Sequence, residues 1–278
     1  MLAICKLINI PLLTCKSQAN LNIKSEYKVM EITNKTVLIT GGGSGIGYAT
    51  AKFLSEKGNR VIITGRNEEK LRRAADELGI NYIVCDVTDV TSVKKLNAKL
   101  ETFYGDLSVL INNAGVGYVY KLGEGADAVE KAREEFETNY FAPVRLIEVL
   151  LPLLKKQPEA AIVNITSNVA FHPLVVLPTY SDAKTALHSH SVALRLTLST
   201  DTNIKVFEMM PSLINTDATK DMGGEQYGLP PIVAAEDIYN GINEDRYEIF
   251  VGEAAQQYAD YFADPQSAVA KFNQPFLN

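Results

Sequence analysis

The stretch TVLITGGGSGIG, residues 36–47, joins a strand-like run to a glycine-rich turn. The apolar and β-branched residues 36–40 are typical of a strand that is covered on both faces of a parallel sheet. The glycines that follow would let the backbone approach a pyrophosphate at the start of a helix. A tight strand-to-helix turn also needs glycine by itself. The meaning of this turn therefore depends on the rest of the chain.

The rest of the chain alternates strands with helices. The predicted strands are 36–40, 60–64, 81–84, 107–111, 161–165, 205–209 and 247–251. The predicted helices cover about 47–57, 68–78, 90–103, 127–154 and 180–198, and Pro143 is expected to start a new segment or kink the fourth. This order predicts a single α/β domain, a Rossmann-type doubly wound parallel sheet that binds ligands at the carboxyl ends of its strands.

Composition and charge exclude several classes of protein. The 278-residue chain has a net charge of -6 and no run rich in Lys or Arg, which argues against nucleic-acid binding. Three scattered cysteines predict neither a disulfide framework nor a zinc site, and we expect no metal. The default setting is reducing and cytoplasmic.

The first 29 residues do not follow the alternating pattern. Their apolar run, residues 7–13, is too short to span a bilayer and is a poor signal peptide, so no stable membrane anchor is expected. We interpret residues 1–29 as a disordered extension or as an over-extended gene model with Met30 as the natural start. Residues 30–278 are then the folded domain.

Small and polar residues follow the first, third and fourth strands, where a dinucleotide would lie. In the glycine turn, the predicted cofactor-binding residues are Gly41, Ser44, Gly45, Ile46 and Gly47. After the third strand they are Asp86, which would accept a hydrogen bond from an adenine amino group or cap a turn, and Val87. After the fourth strand they are Asn113, Ala114 and Gly115, beside the nicotinamide half or in an Asx turn.

The end of the second strand bears on the choice of cofactor. An acidic residue there would bind the adenosine ribose of NAD, whereas an arginine accommodates the 2′-phosphate of NADP. The chain has Gly65 and then Arg66, whose guanidinium suits a phosphate. The sequence therefore favours NADP(H), with NAD(H) possible, against the alternative that Arg66 is a solvated residue at the start of a helix.

A tyrosine, a lysine and a serine supply the chemistry. Tyr180 and Lys184 stand four residues apart and would share a helix face, with Ser167 thirteen residues before the tyrosine. The ammonium would stabilise a phenolate and lower a pKa that is ordinarily about 10. Ser167 ends the fifth predicted strand, in the expected ligand crevice. The three side chains predict proton exchange with a carbonyl or alcohol oxygen.

These motifs, in this order, resemble those of the classical short-chain dehydrogenase/reductase family over about residues 33–260. The matching segments are 40–47, 112–115, Asn139, Ser167 and 180–184. Segments 157–164 and 186–188 resemble, more narrowly, the short-chain oxidoreductase encoded beside genes for lipoteichoic-acid D-alanylation.

The resemblance implies a role for each matching residue. Tyr180 would be the general acid/base, Lys184 would lower its pKa and hold the nicotinamide ribose, and Ser167 would hydrogen-bond the substrate oxygen. Asn139 would hold a water that relays protons to Lys184.

The segment after the sixth strand departs from the family at one position. The contacts expected there come from Pro211, Ile214 and Thr216, while Ser212 stands where the family usually has glycine. This serine bears on the backbone path past the nicotinamide. Residues 217–235 are predicted to be a mobile substrate loop, and Phe171, His172 and Leu174 are expected to line the pocket.

The leading hypothesis is an oxidoreductase that interconverts a small-molecule carbonyl and an alcohol with NADP(H). A non-catalytic NADP(H)-binding redox regulator is the alternative, and an isomerase, dehydratase or epimerase on the same scaffold is a third hypothesis. The family resemblance also implies a homodimer or homotetramer that shares helices 127–154 and 180–198.

Overall fold

The computed structural model describes residues 29–277 of the chain. The interpretation of residues 1–29 therefore falls almost wholly outside the described residues. Met30 and Ile32 are buried in the core, and the Ile32 amide donates to Asn243 Oδ1 at 3.0 Å. Met30 and Ile32 are thus part of the packed domain.

Seven strands form one parallel sheet in the described residues, in the order β3-β2-β1-β4-β5-β6-β7. The strands are β1 Thr36–Thr40, β2 Arg60–Gly65, β3 Asn81–Val84, β4 Leu107–Asn112, β5 Ala160–Ile165, β6 Ile204–Pro211 and β7 Glu248–Val251. The order reverses between β1 and β4, which opens a crevice at their carboxyl ends. The predicted doubly wound α/β domain is confirmed.

Helices cover both faces of the sheet. Their bounds are α1 Gly45–Glu56, α2 Glu68–Leu78, α3 Val90–Phe103, α4 Ala128–Phe136, α5 Ala142–Leu154, α6 Pro178–Leu198, α7 Gly224–Tyr227, α8 Pro231–Asn243, α9 Ala254–Ala263 and α10 Pro265–Asn273. Short 3₁₀ turns occupy Asn168–Ala170, Asp217–Met222 and Gln274–Phe276. No helix in the described part of the chain is long and apolar enough to cross a membrane.

Alternation along each strand divides the core into two layers. Val37 and Ile39 of β1 pack with α1, α2 and α8 residues on one face, whereas Leu38 packs with α3 and α5 residues on the other. Successive strand side chains point to opposite faces, so a wholly apolar strand supplies both layers. This is why the chain needs uninterrupted hydrophobic strands at its centre.

The helix signals in the sequence are local and mostly correct. Asn67 caps α2, because its side chain accepts a hydrogen bond from the Lys70 amide at 2.9 Å. Gly79 ends the same helix in the left-handed region, with φ 65°. Both predictions are confirmed.

The predicted long helix 127–154, with a new segment or kink expected at Pro143, is divided into three helical segments. α4 ends at Phe136, a π-helical segment runs over Glu137–Phe141, and α5 starts at Ala142. Pro143 lies in the first turn of α5, where its missing N–H and fixed φ are tolerated. The predicted new segment at this proline is correct, and the π-helical turn before it contains Asn139.

The predicted substrate loop 217–235 is partly wrong. It contains the 3₁₀ turn Asp217–Met222 and α7, and its last five residues already belong to α8. Pro231 starts α8, where a proline fits the first helical turn. The sequence analysis also missed α9 and α10, which follow β7 and cover one end of the ligand crevice.

Candidate active site

The carboxyl ends of β1 and β4 are joined by a compact polar contact. Thr40 Oγ1 accepts hydrogen bonds from the amides of Asn113 and Ala114 at 3.0 and 2.9 Å. The Asn113 side-chain amide donates to the carbonyls of Thr40 and Gly41 at 2.8 and 3.3 Å. The start of the predicted cofactor-binding segment 113–115 is therefore held directly against the glycine turn.

Several positions of the glycine turn do not suit a side chain, either because of their backbone angles or because of close neighbours. Gly41 and Gly45 adopt positive φ values of 66° and 55°. A Cβ atom on Gly47 would lie 2.4 Å from the Gly41 carbonyl oxygen and 2.5 Å from Asn113 Nδ2. The turn thus brings bare backbone to the start of α1, as a dinucleotide pyrophosphate requires. These residues fit such a cofactor.

A cavity of about 1230 Å³ lies beside this turn at the carboxyl edge of the sheet. It is lined by most of the residues that the sequence predicted to bind cofactor or to carry the chemistry. They are Gly41, Ser44, Gly45, Ile46, Asn113, Ala114, Gly115, Ser167, Tyr180, Lys184, Pro211, Ile214 and Thr216. The fold therefore brings together residues that are up to 175 positions apart in the chain.

Five predicted site residues do not line this cavity: Gly47, Arg66, Asp86, Val87 and Asn139. Gly47 lies beneath the turn and is buried. Arg66 is exposed after the end of β2. Val87 is buried, and its carbonyl accepts a hydrogen bond from Arg145 Nη1 at 3.1 Å. Their contacts with a cofactor stay predictions.

Asp86 caps its own turn. Its Oδ1 atom accepts hydrogen bonds from the Thr88 amide at 2.9 Å and from the Thr88 hydroxyl at 2.7 Å. The turn-capping alternative considered for this residue is therefore present in the structure. One carboxylate oxygen is committed to it, and the proposed adenine contact would fall to the other.

Tyr180 and Lys184 lie on one face of α6 beside the end of β5. Lys184 Nζ lies 5.5 Å from the centre of the Tyr180 ring and donates to the Ile165 carbonyl at 2.7 Å. The Ser167 hydroxyl lines the same cavity and donates to Asn168 Oδ1 at 3.0 Å. The three predicted chemical residues thus converge on one space.

Burial acts on both titrating groups of the pair. It lowers the pKa of Lys184 to about 8, an effect that the Glu208 carboxylate opposes. It also raises the pKa of Tyr180, and the Glu135 carboxylate adds to that rise. The lowered tyrosine pKa expected from the sequence is therefore not found in the protein alone, because loss of water around the phenolate outweighs an ammonium at this distance.

Asn139 belongs to the π-helical segment, and its side chain binds the backbone of the loop after β4. Its side chain accepts from the Val116 amide at 3.0 Å and donates to the Val116 carbonyl at 2.7 Å. Its main-chain carbonyl lacks the usual donor four residues ahead, because Pro143 has no N–H. π-helical turns of this kind are frequent at functional sites.

Ser212 does not disturb the backbone after β6. Its φ lies outside the positive region, and its amide donates to the Val251 carbonyl at 3.1 Å. Thr216 approaches the glycine turn, since a Cβ on Gly45 would lie 3.1 Å from Thr216 Cγ2. Serine at position 212 is therefore accommodated without a strained backbone angle.

The far end of the cavity combines apolar and polar side chains. The predicted His172 and Leu174 line it, whereas Phe171 packs instead against His188 and Tyr258 at ring distances of 4.6 and 4.8 Å. Residues that the sequence analysis missed complete this end: Asn168, Leu177, Gln256, Gln257, Asp260, Lys271, Phe272 and Phe276. Most of them lie on or beside α9 and α10, where no motif marked them.

No cluster of three or more His, Cys, Asp or Glu side chains in residues 29–277 is arranged to hold a metal ion.

Residues 35–226 match the short chain dehydrogenase family. The chain belongs to this family. This short-chain dehydrogenase is 41% identical over 225 residues to the uncharacterized oxidoreductase DltE of Bacillus subtilis, which covers 79% of this chain and 89% of DltE. It is also 34% identical over 215 residues to serine 3-dehydrogenase of Agrobacterium fabrum, with 75% and 81% covered. The narrower resemblance read from segments 157–164 and 186–188 is thus confirmed.

Two solved structures share the fold. A short chain dehydrogenase from Burkholderia cenocepacia, in complex with NADP, superposes with a TM-score of 0.77 at 25% identity, over 87% of this chain and 98% of that one. A short chain dehydrogenase/reductase from Burkholderia phymatum, in complex with NAD, gives 0.75 at 24% identity, over 81% and 91%. The family assignment makes this protein an NAD(P)-dependent oxidoreductase that acts on small molecules.

The crowding around Gly47 gives a direct test of the turn. We expect Gly47→Ala to lower the free energy of unfolding by about 1–3 kcal/mol, because the new methyl group meets the Gly41 carbonyl and the Asn113 amide. Urea denaturation measures the change.

Gly43→Ala is the matched control in the same turn. A Cβ at position 43 would meet no atom closer than 3.5 Å, and its φ is not positive, so a change below about 1 kcal/mol is expected. Equal losses in the two variants would show that close packing at Gly47 is not the cause.

Proposed function

We propose that this enzyme interconverts a small-molecule carbonyl compound and its alcohol with NADP(H), with Tyr180 as general acid/base. The convergence of Tyr180, Lys184 and Ser167 on a cavity bordered by the glycine turn carries the proposal. The redox regulator considered as an alternative would use Lys184 to bind the cofactor, but it would need neither a proton donor at Tyr180 nor a hydroxyl at Ser167. Nothing in their arrangement favours it.

Each side chain has a defined task in carbonyl reduction. The dinucleotide, when bound, supplies or accepts the hydride. Tyr180 keeps its proton at neutral pH because burial raises its pKa, and a protonated phenol is the form that donates to a carbonyl oxygen. Ser167 would turn its hydroxyl from Asn168 to the substrate oxygen and stabilise the developing negative charge.

Lys184 would restore the proton that Tyr180 gives up. Its ammonium is buried and anchored on the Ile165 carbonyl, so its position is fixed beside the tyrosine ring. A water on the Asn139 main-chain carbonyl, which lacks its α-helical donor, would connect Lys184 to solvent. The Asn139 side chain is occupied by Val116, so we assign the water to the carbonyl and not to the side-chain amide.

The NADP(H) preference rests on Arg66. Its guanidinium is exposed at the carboxyl end of β2, next to Gly65, and no acidic residue stands at this strand end. A guanidinium at this position suits the adenosine 2′-phosphate. The NADP-bound relative from Burkholderia cenocepacia supports the use of this cofactor by a similar fold.

We also propose that the protein is a homodimer or homotetramer. α4, the π-helical segment and α6 present exposed apolar side chains at Val129, Phe141 and Leu196. Exposed apolar surface on neighbouring helices favours association with a second copy.

Tyr180→Phe should reduce carbonyl reduction about a hundred- to ten-thousandfold while leaving NADPH affinity within about twofold. Phenylalanine keeps the ring in the cavity and removes only the hydroxyl that moves the proton. Steady-state kinetics on the best substrate of a carbonyl panel and NADPH fluorescence titration give the two values. Tyr239→Phe on α8, whose ring packs on Phe53, is the matched control and should keep both. A Tyr180→Phe rate within several-fold of the parent would remove Tyr180 as the acid.

Arg66→Ala should weaken NADPH binding by roughly tenfold and leave NADH binding unchanged, because only NADPH carries the 2′-phosphate. The dissociation constants of both cofactors, measured for parent and variant, decide it. Arg72→Ala, on the exposed side of α2, is the control with the same loss of charge. Gly65→Asp with Arg66→Leu should reverse the preference, since position 65 has room for a side chain. An unchanged NADPH/NADH ratio in Arg66→Ala would leave NAD(H) as the better assignment.

Light scattering at micromolar concentration should report a dimer or tetramer for the parent. Leu196→Glu, at the exposed surface of α6, should shift the mass towards the monomer because a charge is costly in an apolar interface. A monomeric parent with full activity would contradict the proposed assembly.

A further inference from the structure

A carboxylate lies inside the sheet directly beneath the active site. Glu208 belongs to β6, in the run Val206-Phe-Glu-Met-Met210, and its side chain is fully buried. A buried carboxylate is costly unless hydrogen bonds and opposite charges compensate it. The hydrogen-bond partners of Glu208 therefore indicate its role.

Two partners hold the Glu208 carboxylate. Thr166 Oγ1 donates to Oε1 at 2.6 Å, and His188 Nδ1 lies 2.9 Å from Oε2 and 3.1 Å from Oε1. Thr166 is the residue before Ser167, and His188 follows Lys184 by one turn of α6. Each partner is thus a neighbour of a residue that carries the proposed chemistry.

The end of β5 is consequently fixed at two successive residues, Ile165 and Thr166, which directly precede Ser167. The Ile165 carbonyl accepts from Lys184 Nζ at 2.7 Å, and the Thr166 hydroxyl donates to Glu208. The Thr166 amide also donates to the Met209 carbonyl at 2.9 Å. Ser167 follows with its hydroxyl in the cavity. Movement of Glu208 would therefore be transmitted to both Lys184 and Ser167.

We propose that Glu208, held by Thr166 and His188, is a positioning residue that fixes Ser167 and Lys184 and provides the buried counter-charge for the Lys184 ammonium. The assignment rests on the proposed function, in which Lys184 and Ser167 serve the reaction. Glu208, Thr166 and His188 lie beneath the site and belong neither to the glycine turn nor to segment 180–184.

The charges around Lys184 support this role. Lys184 is buried and forms no ion pair with a carboxylate among the described residues. Burial lowers the pKa of Lys184, and the negative charge of Glu208 opposes this lowering. The Glu208 carboxylate in turn raises the pKa of His188, chiefly through their hydrogen bond. Removal of the Glu208 charge would therefore lower the pKa of Lys184 further below about 8.

Other titratable groups complete the surroundings of the pair. Arg195, further along α6, lies 3.8 Å from Glu248 of β7, and both act on His188. Tyr258 of α9 also faces this region, and its pKa is raised by burial and by the carboxylates of Glu248 and Glu208. These groups are the same in the parent and in the variants. A difference in the Lys184 midpoint between parent and variant therefore reports the change at Glu208 or His188.

The experiment is a titration of Lys184 by NMR in protein labelled with ¹³Cε-lysine. The resonance that disappears in Lys184→Arg identifies the residue. In Glu208→Gln, which keeps the size and the hydrogen-bonding outline of the side chain, the Lys184 midpoint should fall by about one pH unit. The basic limb of the kcat profile for carbonyl reduction should move to lower pH with it, because the ammonium is lost earlier.

Two further variants separate charge from packing. Asp245→Asn breaks the ion pair with Lys205 of β6 at 2.7 Å, removes the same charge outside the site, and should leave the midpoint unchanged. Asparagine suits the positive φ of 52° at position 245. His188→Gln leaves the Glu208 carboxylate in place, so kcat should fall while the Lys184 midpoint does not.

Two results would overturn the proposal. One is a Lys184 midpoint in folded Glu208→Gln that differs from the parent's by less than about 0.3 pH units. This threshold is well below the roughly one-unit shift expected when a nearby charge is removed. The other is a fall of the midpoint in His188→Gln, which remains decisive if Glu208→Gln does not fold. Thermal unfolding establishes that each variant is folded. The titration needs no substrate, so it tests Glu208 even if no carbonyl compound is reduced and the proposed function fails.

Discussion

The Asn113 side-chain amide donates a hydrogen bond of 2.8 Å to the Thr40 carbonyl. The Thr40 hydroxyl oxygen accepts hydrogen bonds from the backbone amides of Asn113 and Ala114. These bonds join the carboxyl ends of β1 and β4, the two strands between which the order of the sheet reverses. Gly47 lies under the same contact and has no space for a Cβ atom. The crevice that receives ligands exists because β1 and β4 are held together here while their following segments diverge.

Polar groups are buried around this crevice at some cost to stability. Lys184, Glu135 and Glu208 are all nearly or wholly inaccessible to water. Glu135 accepts hydrogen bonds from the Tyr118 amide and from the hydroxyl of Thr179, the residue before Tyr180. A satisfied buried network fixes side-chain positions more tightly than an exposed one, since each lost bond leaves an unpaired polar group. The site obtains its order from these bonds.

The two ends of the cavity are built in different ways. The end at the sheet is made by residues that directly follow strands, and their positions are set by the register of parallel pairing. The far end is made by the 3₁₀ turn at Asp217–Met222, α9 and α10, which contribute Met222, Gln257 and Phe272. Variation in such peripheral segments alters the substrate without changing the reaction, because the chemistry stays on the rigid strand ends.

The amino-acid sequence is enough to predict the parallel α/β fold, the strand positions and most of the residues at the sheet end of the cavity, because these depend on local periodicity, on glycine and on the spacing of Tyr180 and Lys184. It missed the π-helical turn at Asn139, the helices α9 and α10, and the direction of the Tyr180 pKa. Those follow from contacts between distant segments: the pairing of Asn139 with Val116, packing across the crevice, and loss of water around the phenol. Glu208 could be noticed as a charge within an apolar strand, yet only the tertiary structure places it between Thr166 and His188. Local patterns specify elements, whereas burial and charge pairing arise only when those elements pack together.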